Sequence, residues 1–212
     1  MERLRRLWSR SVWIYQALTG TLAVLPNEVV RQPLDLVIDY ALVHWCIPVV
    51  DRPDGTPGDG TLVCSHAVSD ENMRALYQLW YLWAKEDGRK LDDYVWARHY
   101  ASLILASSGV PQIVWDGGLP VATAFQVLQH DPWDGGLVAY GDHAYTLPNY
   151  RGSGALYMIL QDCRKVAEEF DVDKVVMPIA PQFDWEKYKP FYEAQLPGWE
   201  IMSRILLNDR RK

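Results

Sequence analysis

Trp115-Asp-Gly-Gly-Leu119 and Trp133-Asp-Gly-Gly-Leu137 are near-copies, each set between apolar runs. Asp-Gly and Gly-Gly supply the positive φ angles that tight hairpin turns demand. The two strings fold the middle of the chain back on itself twice. They predict three antiparallel strands, near 111–115, 119–129 and 137–147. Two copies of so short a string make turns, not a repeat protein.

The flanks of this meander are helical. Ser69 or Asp70 can cap a helix in which Met73, Leu76, Tyr77, Trp80, Trp83 and Ala84 recur at three- and four-residue steps, the amphipathic signature. A second helix is predicted from Leu91 to Ala106, stopped by Ser107-Ser-Gly109. Beyond the meander, Leu156, Ile159, Leu160, Cys163, Val166, Ala167 and Phe170 form one stripe of a helix over Gly154–Phe170. Its other face carries Gln161, Asp162, Arg164, Lys165, Glu168 and Glu169. Short strands are expected at Thr61–Ala67, Lys174–Ala180 and Glu200–Leu207, and a helix at Trp185–Leu196 despite Pro190. The order from Thr61 onward is β-α-α-β-β-β-α-β-α-β, an α/β (α+β) pattern with a mixed sheet.

The boundary before it is Asp51-Arg-Pro-Asp-Gly-Thr-Pro-Gly-Asp-Gly60, ten residues crowded with turn formers and almost free of apolar ones. Residues 51–60 are therefore a linker loop. Residues 1–50 are a mainly helical N-terminal extension, with helices near 3–19 and 34–46, and residues 61–212 are the main domain. Val12–Pro26 is apolar behind an arginine-rich start, but it lacks a small-x-small cleavage site and is too short to span a bilayer. Packing, docking on a partner and contact with a membrane surface all remain open for that helix, in that order of preference.

Composition narrows the functional classes. A net charge of −6 argues against generic nucleic-acid binding, which needs a basic face. The arginines at 3, 5, 6 and 10 and the basic Arg210-Arg-Lys212 tail read as solvated ends. Cys46, Cys64 and Cys163 are too few and too scattered for a disulfide framework or a zinc site, which fits a reducing, cytoplasmic setting. Ten Trp and twelve Tyr against four Phe exceed what one core needs and point to a protein partner, with Trp8, Trp13, Trp45, Trp80, Trp83 and Trp96 as surface candidates.

Chemistry is most legible at Thr146-Leu-Pro-Asn-Tyr-Arg-Gly-Ser-Gly-Ala155, where a strand runs out into a helix. Free N–H groups at a helix start carry partial positive charge and can cradle a phosphate, and glycines let the backbone approach it. Neither the Walker pattern nor the dinucleotide fingerprint is present, since both need further residues at fixed offsets.

In this position Thr-x-Pro-x-Tyr-Arg-Gly-x-Gly resembles the coenzyme-A pyrophosphate loop of the GNAT superfamily of N-acyltransferases. Pro190-Phe-Tyr-Glu-Ala-Gln-Leu-Pro-Gly-Trp199 resembles that family's late motif. The resemblance covers residues 61–212 and implies a GNAT-like mixed central sheet with helices on both faces. It implies that Arg151, Gly152, Ser153, Gly154 and Ala155 contact the cofactor pyrophosphate, and that the strand from Ala144 to Leu147 pairs with the pantetheine arm. Tyr192 would protonate the departing thiolate, and His143 or Asp142 would serve as base for the attacking amine. The implied activity is transfer of acetyl from acetyl-CoA to a primary amine, on a small molecule or a protein, by direct attack through a tetrahedral intermediate.

Three departures support an alternative. Leu156 stands where the family uses a small residue, and Trp185 and Tyr188 stand where it commonly has Asn and Ala. The alternative is a catalytically degenerate member that acts in assembly through its Trp-rich extension. Structural and assembly proteins of tailed bacteriophages include such members, which would place the chain in a virion. The fold does not choose between the two.

Overall fold

The computed structural model describes residues 32–47, 60–133 and 135–176, together with Lys189, Pro190 and Ala194. The helix expected over 3–19 and the strand over 200–207 lie outside the described residues, as does most of the helix expected over 185–196. The described part holds two compact units, one of helices and one built on a sheet.

The helical unit contains α1 (Gln32–His44), α2 (Asp70–Glu86) and α3 (Asp93–Leu105). Ser69 is the N-cap of α2, its hydroxyl accepting from Asn72 N at 3.2 Å. That leaves the Asp70 carboxylate free for another task. It accepts from Tyr40 Oη at 2.7 Å and from Trp45 Nε1 at 2.9 Å, tying the end of α1 to the start of α2. Arg74 Nε donates to His44 O at 2.9 Å, satisfying a carbonyl that the end of α1 leaves open. Asp92 caps α3 through Val95 N, and Asp93 accepts from Tyr77 Oη at 2.7 Å. Met73, Leu76 and Leu79 are wholly buried, and Trp96 meets Tyr77 edge-to-face and Tyr100 at a tilt, with centroid spacings of 5.1 and 4.7 Å.

Of the tryptophans expected at the surface, Trp45 and Trp96 are buried, Trp80 and Trp83 are half-buried, and Trp8 and Trp13 lie outside the described residues. Indoles at helical spacing were absorbed by this core because three short helices need bulky side chains to fill the space between them. Among the described residues the exposed tryptophan is Trp133, 94% accessible in the second Asp-Gly-Gly turn.

The second unit is a five-stranded mixed sheet in sequential order: β1 (Leu62–Ser65), β2 (Gly109–Asp116), β3 (Leu119–His130), β4 (Leu137–Thr146) and β5 (Lys174–Val176). β1 and β2 pair antiparallel, as do β3 and β4, whereas β5 returns parallel to β4 from Val138–Tyr140. The first Asp-Gly-Gly string forms the two-residue turn between β2 and β3, with φ of 52° at Gly117 and 85° at Gly118. Only a residue without a Cβ takes both angles at no cost. The second string enters a longer loop instead, in which Asp131 accepts from Gly135 N and, through its side chain, from Trp133 N. The expected meander is therefore present, with two different turns made from one string.

One helix, α4 (Ala155–Phe170), packs on this sheet. Ala155, Ile159 and Cys163 meet Val114, Ala122 and Ala124, and Val166 meets Val110, Leu128 and Ala139. The alanines of β3 let the helix lie close to the sheet. Asp162, expected on the solvated face of α4, is instead 1% exposed. Its Oδ1 lies 2.9 Å from His66 Nδ1, just after β1, and its Oδ2 accepts from Gln112 Nε2 at 2.9 Å. Gln112 Oε1 accepts from Gln126 Nε2 at 2.9 Å, and that nitrogen also lies 2.8 Å from Cys163 Sγ. The carboxylate can only accept, so it fixes the orientation of both amides along this buried chain. His66 Nε2 reaches Glu169 at 3.0 Å, placing the imidazole between two carboxylates.

Among the described residues no helix is long and apolar enough to cross a membrane.

Candidate functional site

β4 ends at Thr146, and Leu147 N donates to Val121 O at 2.9 Å, holding the exit of the strand against β3. A 3-10 turn, Pro148–Tyr150, then carries the chain to the start of α4. Pro148 suits its first position, where the missing N–H is not needed. Ser153 donates twice to the Tyr150 carbonyl, from Oγ at 2.7 Å and from its backbone N at 3.1 Å. Gly152 and Gly154 sit at φ of 90° and 97°, the left-handed region that strains any side-chain-bearing residue. Arg151 through Gly154 are all exposed, and Ala155 is buried as the first residue of α4.

The N-cap of α4 is Gly154, and no side chain caps the helix. The first intrahelical bond at this end runs from Met158 N to Gly154 O. The N–H groups of the first turn thus have no intrahelical acceptor, and an anion can take their place. A Cβ built on Gly152 or Gly154 would meet none of the described residues within 4 Å, so none of them fills the space in front of the loop. Leu156, bulkier than the resemblance expects, is half-buried on the second position of the helix. The Arg151 guanidinium lies 5.9 Å from the centre of the Tyr145 ring, and its Nε donates to Thr146 O at 3.3 Å. These residues suit a pyrophosphate: several backbone donors, one cation and no carboxylate on the loop itself.

His143 and Asp142 lie farther back on β4. The ladder with β3 pairs Gln126 with Gly141 and Phe125 with His143, so Asp142 is the extra residue of a β-bulge. Asp142 is exposed there, while His143 is 8% exposed. Its neighbour across the ladder is Phe125, and α4 packs on the alternate residues Ala122 and Ala124. His143 therefore stands on the sheet face away from α4. Burial pushes its pKa down to about 4, against the opposing pull of Asp142, so the imidazole is neutral near pH 7. Leu147 is half-buried against the α4 core. Tyr192, Trp185 and Tyr188 lie outside the described residues.

A thiol nucleophile is disfavoured. Burial raises Cys46 and Cys163 to about 12 and raises Cys64 as well, so none of the three is a thiolate at neutral pH. Among the described residues no cluster of His, Cys, Asp and Glu could hold a metal ion.

Tyr150, a motif position to which sequence reasoning gave no role, and Asp116 at the end of β2 also bear on the loop. Tyr150 Oη donates to Asp116 Oδ2 at 2.7 Å, and Asp116 Oδ1 accepts from Gly60 N at 2.8 Å. Asp116 belongs to the first Asp-Gly-Gly string, where an aspartate reads only as turn chemistry. No local signal announces that its carboxylate turns inward.

No protein-family model and no curated protein sequence matches the chain. Solved structures do. A predicted acetyltransferase of Clostridium acetobutylicum, solved with acetyl-CoA, is similar at a TM-score of 0.52 and 19% identity, over 69% of this chain and 94% of that one. An aminoglycoside acetyltransferase, meta-AAC0020, from an uncultured soil metagenomic sample, solved with trehalose, is similar at 0.54 and 13%, over 69% and 95%. AAC(6')-Iy in complex with the bisubstrate analogue CoA-S-monomethyl-acetylneamine is similar at 0.53 and 15%, over 72% and 99%. The fold of this chain is that of the GNAT acetyltransferases, and the mixed sheet expected from the sequence is present, with five of its six expected strands among the described residues.

Proposed function

We propose that residues 61–212 form an N-acyltransferase that moves acetyl from acetyl-CoA to a primary amine, with residues 51–60 as linker and 1–50 as an extension. The observation that carries this reading is the uncapped, glycine-shaped start of α4, unobstructed by the described residues and placed directly after β4. Similar solved structures include complexes with acetyl-CoA and with a CoA-based bisubstrate analogue, which supports the choice of cofactor.

In this reading Arg151, Gly152, Ser153, Gly154 and Ala155 hold the pyrophosphate, the backbone donating and the guanidinium offsetting charge. The end of β4 to Leu147 offers its edge to the pantetheine arm; among the described residues β5 pairs with β4 only through Val138–Tyr140. When bound, acetyl-CoA supplies an activated acyl group with a thiolate leaving group. Tyr192 donates the proton that group needs. The amine must lose a proton, and Asp142 and His143 are the two nearby groups able to take it. Asp142 is accessible at the bulge. His143 is neutral and able to accept, but a pKa of about 4 makes it no stronger a base than an ordinary carboxylate, so accessibility is what favours Asp142.

The amine is supported as acceptor by the aminoglycoside acetyltransferase among the similar structures. Its carrier, small molecule or protein, is left to an acceptor screen.

Calorimetric titration with acetyl-CoA and with CoA tests the reading. Micromolar binding is expected in the native chain and none in Gly154→Trp. The substitution fills the space in front of the loop and places a side chain at positive φ, which costs about 1–2 kcal/mol and spares the fold. Tyr192→Phe should slow turnover while leaving acetyl-CoA affinity unchanged. Absence of heat at millimolar ligand would refute the acyltransferase and leave the degenerate assembly role.

A further inference from the structure

We propose that Asp116 and Tyr150 are positioning residues that set the shape of the anion-binding loop from beneath. The proposal rests on the acyl-CoA reading of that loop. Asp116 is 2% exposed at the end of β2, yet both its oxygens are engaged. One accepts from Tyr150 Oη at 2.7 Å and the other from Gly60 N at 2.8 Å. A buried carboxylate needs hydrogen-bond partners, and here each oxygen accepts from a residue outside β2.

The consequence runs through Tyr150. Its ring packs against the core beneath α4, and its hydroxyl is held by the charged acceptor on β2. Those two contacts fix the position of its backbone carbonyl. That carbonyl takes both hydrogen bonds from Ser153, and Ser153 lies between the two glycines at positive φ. The direction of the N–H groups that would meet an anion is thus inherited from a carboxylate that cannot itself approach it. A negative charge near an anion site would ordinarily weaken binding. Here a phenol donates to one oxygen and an amide to the other, which offsets part of that charge. Neither residue touches the reacting atoms.

The test uses the full chain. Amide hydrogen exchange at Ser153 and Met158, whose N–H groups donate to Tyr150 O and Gly154 O, is read in the ligand-free protein, and acetyl-CoA affinity is read by titration, for native chain, Tyr150→Phe, Asp116→Ala and Asp116→Asn. Tyr150→Phe keeps the ring and its packing and removes only the hydroxyl. Faster exchange at these two amides and about a tenfold weaker Kd, equivalent to about 1.4 kcal/mol, are expected, with exchange in the helical unit unchanged. Asp116→Asn, which keeps one acceptor oxygen, should fall between the native chain and Asp116→Ala. Unchanged exchange in Tyr150→Phe overturns the proposal, as does faster exchange with unchanged Kd. A native chain that takes no acetyl-CoA overturns the proposed function instead; the exchange comparison needs no ligand and decides the tie to Asp116 by itself. Should Asp116→Ala fail to fold, Tyr150→Phe still decides.

Discussion

Replacing Asp162 by alanine should destabilise the protein more than any surface substitution on α4, and the amount can be worked from its partners. The carboxylate is 1% exposed and is joined at 2.9 Å to both His66 Nδ1 and Gln112 Nε2. Hydrogen bonds to a charged group contribute about 1.5–3 kcal/mol each. His66 retains Glu169, so it is not orphaned and its share falls at the low end. Gln112 is worse placed, because its other acceptor, Ile159 O, lies at 3.5 Å, beyond the range of a good bond. Breaking one side of a buried charged pair costs roughly 3–5 kcal/mol, and the surviving His66–Glu169 contact places this case near 3. With a urea slope of about 2 kcal/mol/M, the unfolding midpoint should fall by about 1.5 M. A cycle with Gln112→Leu sharpens the test. In the Asp162→Ala background, removing Gln112 also removes the unsatisfied donor, so the two costs should fail to add by about 1–2 kcal/mol. A single-variant cost below about 1 kcal/mol, or additivity within about 0.5 kcal/mol, would refute the view that these side chains act as one buried network.

Stability should also depend on pH with limbs of separate origin. His66 has a raised pKa, chiefly from its bond to Asp162 and then, against burial, from Glu169. Its contribution is full below about 6.5 and is lost as pH rises through the higher folded value. Burial pushes Asp162 up, but the bonds from His66 and Gln112 outweigh it and hold its pKa below the usual value, so its contribution is lost only in stronger acid. His143 works the other way. Its pKa of about 4 means that the unfolded chain takes up a proton before the folded one does, and about 3 kcal/mol is lost between pH 6.5 and 4. Chemical denaturation across pH should therefore show a maximum near 6.5, with His143→Gln flattening the acid limb and His66→Asn the alkaline one; unchanged limbs would exclude these assignments. In the helical unit, Asp70→Ala should release Tyr40 and Trp45, speed amide exchange across α1 and cost about 2 kcal/mol. Exchange in α1 as slow as in the native chain would show that apolar packing alone holds it.

What the sequence disclosed was local. Turn chemistry placed the meander, since Gly117, Gly118 and Gly135 take the positive φ angles that their type permits. The apolar stripe placed α4, and Ser69 announced the start of α2. Contacts between distant residues left no such trace. Asp162 sits among charged neighbours on the helix, and nothing in the periodicity distinguishes it from Lys165 or Glu168. Only the arrival of Gln112 and His66, brought by strands β2 and β1, makes its burial affordable. The bulge at Asp142 is likewise a property of the β3–β4 register, which neither strand specifies alone.

The proposed anion-binding loop divides along the same line, and the division explains why its motif is a weak signal taken by itself. Glycine spacing reports that the backbone can adopt an anion-binding shape, which is a statement about permitted φ angles. It does not report that the shape is held. In this chain the holding comes from Asp116, two strands away and part of a string whose near-copy makes a different turn. The same Asp-Gly-Gly sequence therefore contributes a two-residue hairpin and a buried anchor in one place and an exposed tryptophan loop in the other. The difference is imposed by what packs behind each turn. Behind the first lie Gly60 and Tyr150, both offering donors to a carboxylate; the second projects Trp133 to 94% exposure. A loop that is merely permitted pays an ordering cost when an anion arrives, and one already anchored does not. The affinity of this site should accordingly track the Asp116–Tyr150 contact more closely than the identity of Ser153, whose hydroxyl bond is duplicated by its own backbone N–H to the same carbonyl.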